Sequence, residues 1–268
     1  MSDVSAGLAA VRCFLANVPL FFHVEPRTPL RVLGIIALDT LHVLRHRRRL
    51  PRSRIDALAL FLDLEGCANA AWDHKDVGHE DWRAIRQRLV KAGLGPCVDE
   101  YLRRLDELES CRPSPGGDER RLVQVAAYRE SVARLSITTA AAIALNPKGR
   151  EPDLRATHAD IDVDTLFRIL MQCQIIDDIV DYAEDLSAGL PSFLTGSASL
   201  SQSLVSTAAA ARSYGATRGA SSGSSVFPLR ATLSVITTLT TFLVWTYGLR
   251  HSRRTQDSVW RWTTTSGR

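Results

Sequence analysis

Five acids fall between positions 177 and 185 of the stretch QIIDDIVDYAEDLSAGLPS: Asp177, Asp178, Asp181, Glu184 and Asp185. At about 100° per helical residue, with Asp177 at zero, Asp181 lies at about 40°, Glu184 at about −20°, Asp185 at about 80° and Gln174 at about 60°. Four carboxylates and an amide share one face, and Asp178 sits on its edge. A solvated acidic face would ordinarily carry partners of opposite sign at i,i+4. Here no Lys or Arg lies between Gln174 and Pro191, and like charges at that spacing destabilise a helix. The pattern asks for a cation from outside the helix. Carboxylate oxygens bind hard divalent ions, and Mg²⁺ in particular is held by a few carboxylates together with substrate phosphates. Towards the N-terminus the same stripe continues through Leu170 and Leu166, so one face changes from apolar to acidic, the profile of a greasy hollow with a metal-binding mouth.

A second segment, FLDLEGCANAAWDHKD, repeats that profile. With Glu65 at zero, Asn69 falls at about 40°, Asp73 at about 80° and Asp76 at about 20°, while Asp63 at about 160° faces outward. Leu58, Phe61 and Leu62 carry the stripe on as apolar residues. Lys75 offers a local partner, so this signal is weaker alone than together with the first.

The elements that must position these groups read as helices throughout. Apolar residues recur at helical spacing, and no β-branched run is bounded by hairpin turn pairs. The pattern predicts an all-α chain with helices at about 5–20, 30–48, 52–76, 79–94, 97–110, 118–145, 160–187, 199–213 and 228–250. Separators are Pro26 and Pro29, Pro51, Gly95-Pro96, Pro113 to Gly117, Asn146 to Pro152, and Gly189 to Pro191. Asp118 is a plausible cap, and Asp160, Asp162 and Asp164 suit the positive end of a helix dipole. The small-residue segment Tyr214 to Ser225 reads as a linker or loop.

With 268 residues, 45% hydrophobic and 23% charged, the chain can bury a large core and is neither disordered nor repeat-built. One domain over 1–254 and a disordered tail over 255–268 are expected. A net charge of +4 is too small to argue for nucleic acid, and none is expected as a partner. Five scattered cysteines without a CxxC pair suggest neither a disulfide framework nor a zinc site, which favours the cytoplasm. Asp3, with no basic region ahead of the first apolar stretch, speaks against a signal peptide. The uncharged run 231–249 has about the length of a bilayer span, but its six threonines favour a buried core helix.

The run Gln174, Asp177-x-x-x-Asp181-x-x-Glu184-Asp185, with Gly189 and Pro191 after it, resembles the second acidic motif of the class I isoprenoid synthase superfamily, most closely its squalene and phytoene synthase branch. Bacterial terpene synthases of related fold are an equally good match. The order of features fits: acidic helix, then a helix with Tyr128, Ser131 and Ser136, then the second acidic helix. The first motif, Glu65-x-x-x-Asn69-x-x-x-Asp73, departs from a clean DxxxD, and no N-terminal diphosphate-binding segment is recognisable. The resemblance implies a helical bundle around a central apolar cavity, three Mg²⁺ ions assembled with a substrate diphosphate, and ionisation of an allylic prenyl diphosphate such as farnesyl or geranylgeranyl diphosphate. It implies Asp177, Asp181, Asp185 and Asp73 as catalytic and metal-holding residues, with Asp178, Glu184, Asn69 and Glu65 completing the ligand set. Gln174 and Asn69 would orient substrate, and Tyr128, Ser131, Phe61, Phe167 and Leu170 would line the cavity.

From the basic cluster Arg45, Arg47, Arg48, Arg49, Arg52 and Arg54, a subset could clamp diphosphate, Arg45 among them. For most of the cluster a solvated patch or an anionic-membrane contact is the plainer reading. His74 and His79 are read as surface residues, and Trp260 and Trp262 as able to dock at a lipid interface. Two other functions stay open: a membrane-associated helical binding protein, and a family member that binds prenyl diphosphate without turning it over. Oligomeric state is open too, a homodimer included.

Overall fold

Among the described residues every regular element is an α-helix, as the 3.6-residue periodicity requires. The computed structural model describes residues 3–17, 19, 29–74, 80–114, 119–145, 157, 159–197, 199–216 and 226–265. Its helices are α1 (Asp3–Asn17), α2 (Pro29–His46), α3 (Arg52–His74), α4 (Glu80–Lys91), α5 (Gly95–Ser110), α6 (Glu119–Leu145), α7 (Ile161–Val180), α8 (Tyr182–Ala188), α9 (Leu200–Gly215) and α10 (Phe227–Thr265). Pro26, Asp76, His79, Asp118 and most of the 214–225 linker lie outside the described residues, as do the side chains of Asp73, His74, Trp260 and Trp262.

Several boundaries follow from local chemistry. Asp160 caps α7, its Oδ1 accepting from the backbone N–H of Asp162 at 2.9 Å and of Val163 at 3.3 Å. Gly189 ends α8 in the left-handed conformation (φ 68°, ψ 31°), where Leu190 N–H reaches back to the Asp185 carbonyl at 2.9 Å. That six-to-one closure needs a residue without a Cβ penalty, and Pro191 follows where the helix must stop. Two expectations changed. The helix predicted over 160–187 is interrupted at Asp181 (φ −98°, ψ 10°), and the tail predicted to be disordered continues α10 as helix through Thr265.

The chain divides into two compact units where the sequence suggests one domain. The first holds Met1–Cys111, Ser131–Phe167 and Ala220–Thr232. In it α1 packs on α2, α2 on α3, α3 on α4 and α4 on α5, neighbours in sequence. Leu38, Leu41, Leu58, Phe61, Leu64 and Tyr101 are fully enclosed; each contributes about 1.5–3 kcal/mol by burial. Asp39 is buried among them and satisfied: Asn17 Nδ2 and Arg49 Nε each donate to its Oδ2 at 2.9 Å, and Leu50 N–H donates to Oδ1 at 2.9 Å. That matches the rule that a buried charge must be paired.

The second unit holds Arg112–Glu130, Arg168–Gly219 and Leu233–Arg268. Here α9 lies against α10 so closely that a Cβ on Gly215 would stand 2.3 Å from Thr237 Cγ2. Gln172 Nε2 donates to the Ala211 carbonyl at 2.7 Å and to Thr237 Oγ1 at 3.0 Å, joining α7, α9 and α10. The core-helix expectation for 231–249 is not met, because only 22% of the apolar run in α10 is buried.

Candidate functional site

Within the second unit, α7 delivers Gln174, Asp177 and Asp178, the interruption carries Asp181, and α8 carries Glu184 and Asp185. Backbone continuity survives the interruption: Asp181 N–H donates to the Asp177 carbonyl at 2.8 Å and Asp185 N–H to the Asp181 carbonyl at 2.9 Å. The carboxylates therefore keep close to the helical spacing that the sequence predicts. Asp177, Asp181 and Glu184 are exposed and Asp185 is half-buried. Partial burial, and then the Asp181 charge, push the Asp177 carboxyl up. Burial also raises Asp185, with Asp181 and Asp177 adding to it, while a hydrogen bond with Ser192 and the charge of Arg129 pull the other way. These acids repel one another, as the sequence implies.

Asp178 behaves differently, and here the expected ligand set changes. It is 1% exposed, its Oδ1 accepts from Arg129 Nη2 at 2.5 Å, and its Oδ2 accepts from Phe193 N–H at 2.6 Å. Burial pushes its carboxyl up to about 6 against both partners. Each oxygen has a structural duty, so Asp178 pins the buried 191–197 turn and Arg129 rather than facing an outside ligand. The turn is closed further by Thr195, whose Oγ1 accepts from Ser192 N–H at 2.7 Å and donates to the Leu190 carbonyl at 2.7 Å.

Two polar atoms beside this row lack partners: Gln174 Oε1 and Arg129 Nε, both buried. An orphaned amide oxygen beside three carboxylates is a set of hard oxygen donors suited to Mg²⁺. No group of three or more His, Cys, Asp or Glu converges as a ready cage among the described residues. Such an open row fits an ion that keeps waters and takes its remaining ligands from phosphate. Tyr128, expected to line a cavity, is half-buried with the Arg112 guanidinium 5.9 Å from its ring centroid, a cation–π contact. Leu170 is half-buried on the preceding turns of α7.

The first unit holds the other candidates. Glu65 turns inward on α3 beside Ser136 of α6; burial raises its carboxyl, and the Ser136 hydroxyl pulls the other way. Burial and then the Glu65 charge push the Tyr101 phenol far up, and neither the Tyr101 hydroxyl nor Ser136 Oγ closes a hydrogen bond of normal geometry. Asn69 is half-buried. Phe61 is packed edge-on against Tyr101 at 4.9 Å, and Phe167 lies under the Arg134 guanidinium at 3.7 Å from its ring centroid. Both aromatics are engaged by protein groups. Ser131 is exposed.

Arg45 is also committed elsewhere: its Nη1 and Nη2 donate to Asp160 at 2.8 and 2.6 Å, and Nη2 donates to Asp162 at 2.6 Å. Arg49 serves Asp39, Arg52 pairs with Asp56, and Arg54 donates to the Ala144 carbonyl. Arg45, Arg49 and Arg54 thus hold the fold, where the sequence suggested a diphosphate clamp, a solvated patch or an anionic-membrane contact.

Arg129 was missed. Its only trace in the sequence is an Arg next to Tyr128, and nothing local ties it to an acid 49 residues away. Among the described residues one open groove of about 430 Å³ lies over Thr237, Thr241, Phe242 and Trp245 and another of about 420 Å³ over Trp82, Arg86 and Leu102, and no residue of the acidic row lines either. The chain matches no protein-family model, no curated protein and no solved structure.

Proposed function

We propose that the chain is a Mg²⁺-dependent isoprenoid synthase of the all-α bundle type, ionising an allylic prenyl diphosphate and then cyclising the resulting cation or coupling it to a second isoprenoid. One observation carries the reading: Asp177, Asp181 and Asp185 form an open, mutually repelling row beside the orphaned Gln174 Oε1. Asp177, Asp181 and Asp185 would hold the ion, with Glu184 near. When bound, the ion neutralises charge on the departing diphosphate. Asp178 and Arg129 hold α7 against the 191–197 turn and so position the row. Gln174 would orient a ligand or the substrate through its unpartnered amide oxygen.

A second reading, a family-like protein that binds without turnover, is favoured by Glu65. Its carboxylate is directed into the protein interior with a raised pKa, which removes one member of the first motif. The test is release of inorganic diphosphate from geranyl, farnesyl and geranylgeranyl diphosphate with and without Mg²⁺, the organic products separated by chromatography. Metal-dependent release from one of them is expected. Tight Mg²⁺-dependent binding with the diphosphate returned intact would establish the second reading, and neither binding nor release would reject both.

A further inference from the structure

Along α10 from Leu233 to Leu249, one arc packs on the protein and the other is bare. Leu233, Thr240 and Val244 are buried, and Thr237 on the same side accepts from Gln172. On the opposite arc Val235 is 69% exposed, Phe242 56% and Trp245 60%, with Leu239 and Leu249 beside them. At about 100° per residue these five fall within about 120° of one another. Water would leave five large apolar side chains unpaid for on one stripe, a pattern that marks an interaction surface.

The occupant can be read from the chemistry of the helix. No charged residue lies between Arg230 and Arg250. The six threonines that argue against lipid in the sequence are satisfied internally. Thr232, Thr238, Thr240 and Thr241 each donate to the carbonyl four residues back at 2.8–2.9 Å, Thr246 donates to the Leu243 carbonyl at 3.0 Å, and Thr237 takes the Gln172 amide. Hydrocarbon demands that polar groups be paired inside the protein, and these are. The run ends at the exposed Arg250, followed in sequence by Arg253 and Arg254, a cationic end suited to anionic headgroups. The packed arc lies against α7 and α9 through Gln172 and Gly215, so α10 is not surrounded by lipid on all sides. We infer that α10 lies in the plane of a bilayer, its Val235, Leu239, Phe242, Trp245 and Leu249 face sunk into the acyl boundary and its Arg250 end on anionic headgroups. This does not depend on the enzymatic reading.

The test is flotation of the full chain with vesicles of phosphatidylcholine, alone or mixed with phosphatidylglycerol, alongside its sedimentation without vesicles. Flotation is expected with both, stronger with phosphatidylglycerol and weakened by salt in that case only. The double variant F242E/W245E should lower partitioning at least about tenfold with unchanged circular dichroism, and the milder W245S should lower it less. For depth, the fluorescence quenched by brominated lipids in the chain but not in W245F reports on Trp245. Shallow quenching is expected. Quenching greatest at the bilayer centre, with the C-terminus protected from protease on one side, would overturn in-plane seating in favour of a span. Absence of flotation, or a dimer dissolved by F242E/W245E in place of vesicle binding, would overturn the bilayer as occupant.

Discussion

Arg129 and Asp178, 49 residues apart in sequence, meet through Nη2 and Oδ1 at 2.5 Å, and Asp178 is almost wholly enclosed. The acidic helix thus has a cation after all, supplied by α6 and spent on the one acid that sits at the edge of the acidic face. The remaining acids keep their mutual repulsion. Removing one partner of a buried pair leaves an uncompensated charge, so Arg129→Ala should destabilise the fold by about 3–5 kcal/mol. Arg129→Met with Asp178→Leu should cost clearly less than Arg129→Ala. Urea unfolding of the parent, Arg129→Met, Asp178→Leu and the double variant measures the coupling, and additive losses would mean the pair does not act as a unit.

Acid should not weaken this part of the protein in the usual way. Folding raises the Asp178 pKa from 3.8 to about 6, so between those values the folded state binds more protons than the unfolded one. Stability therefore grows as pH falls from about 6 towards 4 and is lost as pH rises through about 6, by about 3 kcal/mol for a displacement of this size. Asp178→Asn should flatten that limb of a melting-temperature profile, and the same slope in variant and parent would assign it to other acids.

Asp181→Asn should abolish diphosphate release while leaving circular dichroism unchanged, because Asp181 is exposed and its side chain caps nothing. Melting should stay level or rise slightly from relief of like-charge repulsion, by a few tenths of a kcal/mol. Undiminished turnover would argue strongly against the role assigned to this row.

For Glu65→Gln the expected sign is opposite to that of a lost metal ligand. Burial disfavours the Glu65 charge, so the amide should raise the melting temperature at neutral pH and change it little in acid. Any turnover should persist. Loss of turnover with a lower melting temperature would show that the ionised carboxylate is needed.

Gly215→Ala tests the seam between α9 and α10. A methyl group there would lie 2.3 Å from Thr237 Cγ2, so the helices must part, at about 1–3 kcal/mol. Thermal melting should fall accordingly, and the Gly215→Ala/Thr237→Ser pair should recover much of the loss.

Helix type and most helix positions were legible in the sequence, because amphipathic spacing, Asp160 at a helix start and Gly189-Pro191 at a helix end are local signals. So was the shared face of Asp177, Asp181 and Asp185, since rotation per residue follows from the backbone alone. Tertiary structure decided which charges are spent. Arg45 reaches Asp160 and Asp162, Arg49 reaches Asp39, and Arg129 reaches Asp178 across intervals that no periodicity encodes. It also decided that α10 packs on one arc only, although its six threonines favour a buried core helix in the sequence. Local geometry depends on neighbours along the chain, whereas the pairing and burial of a charge depend on what the folded chain brings beside it.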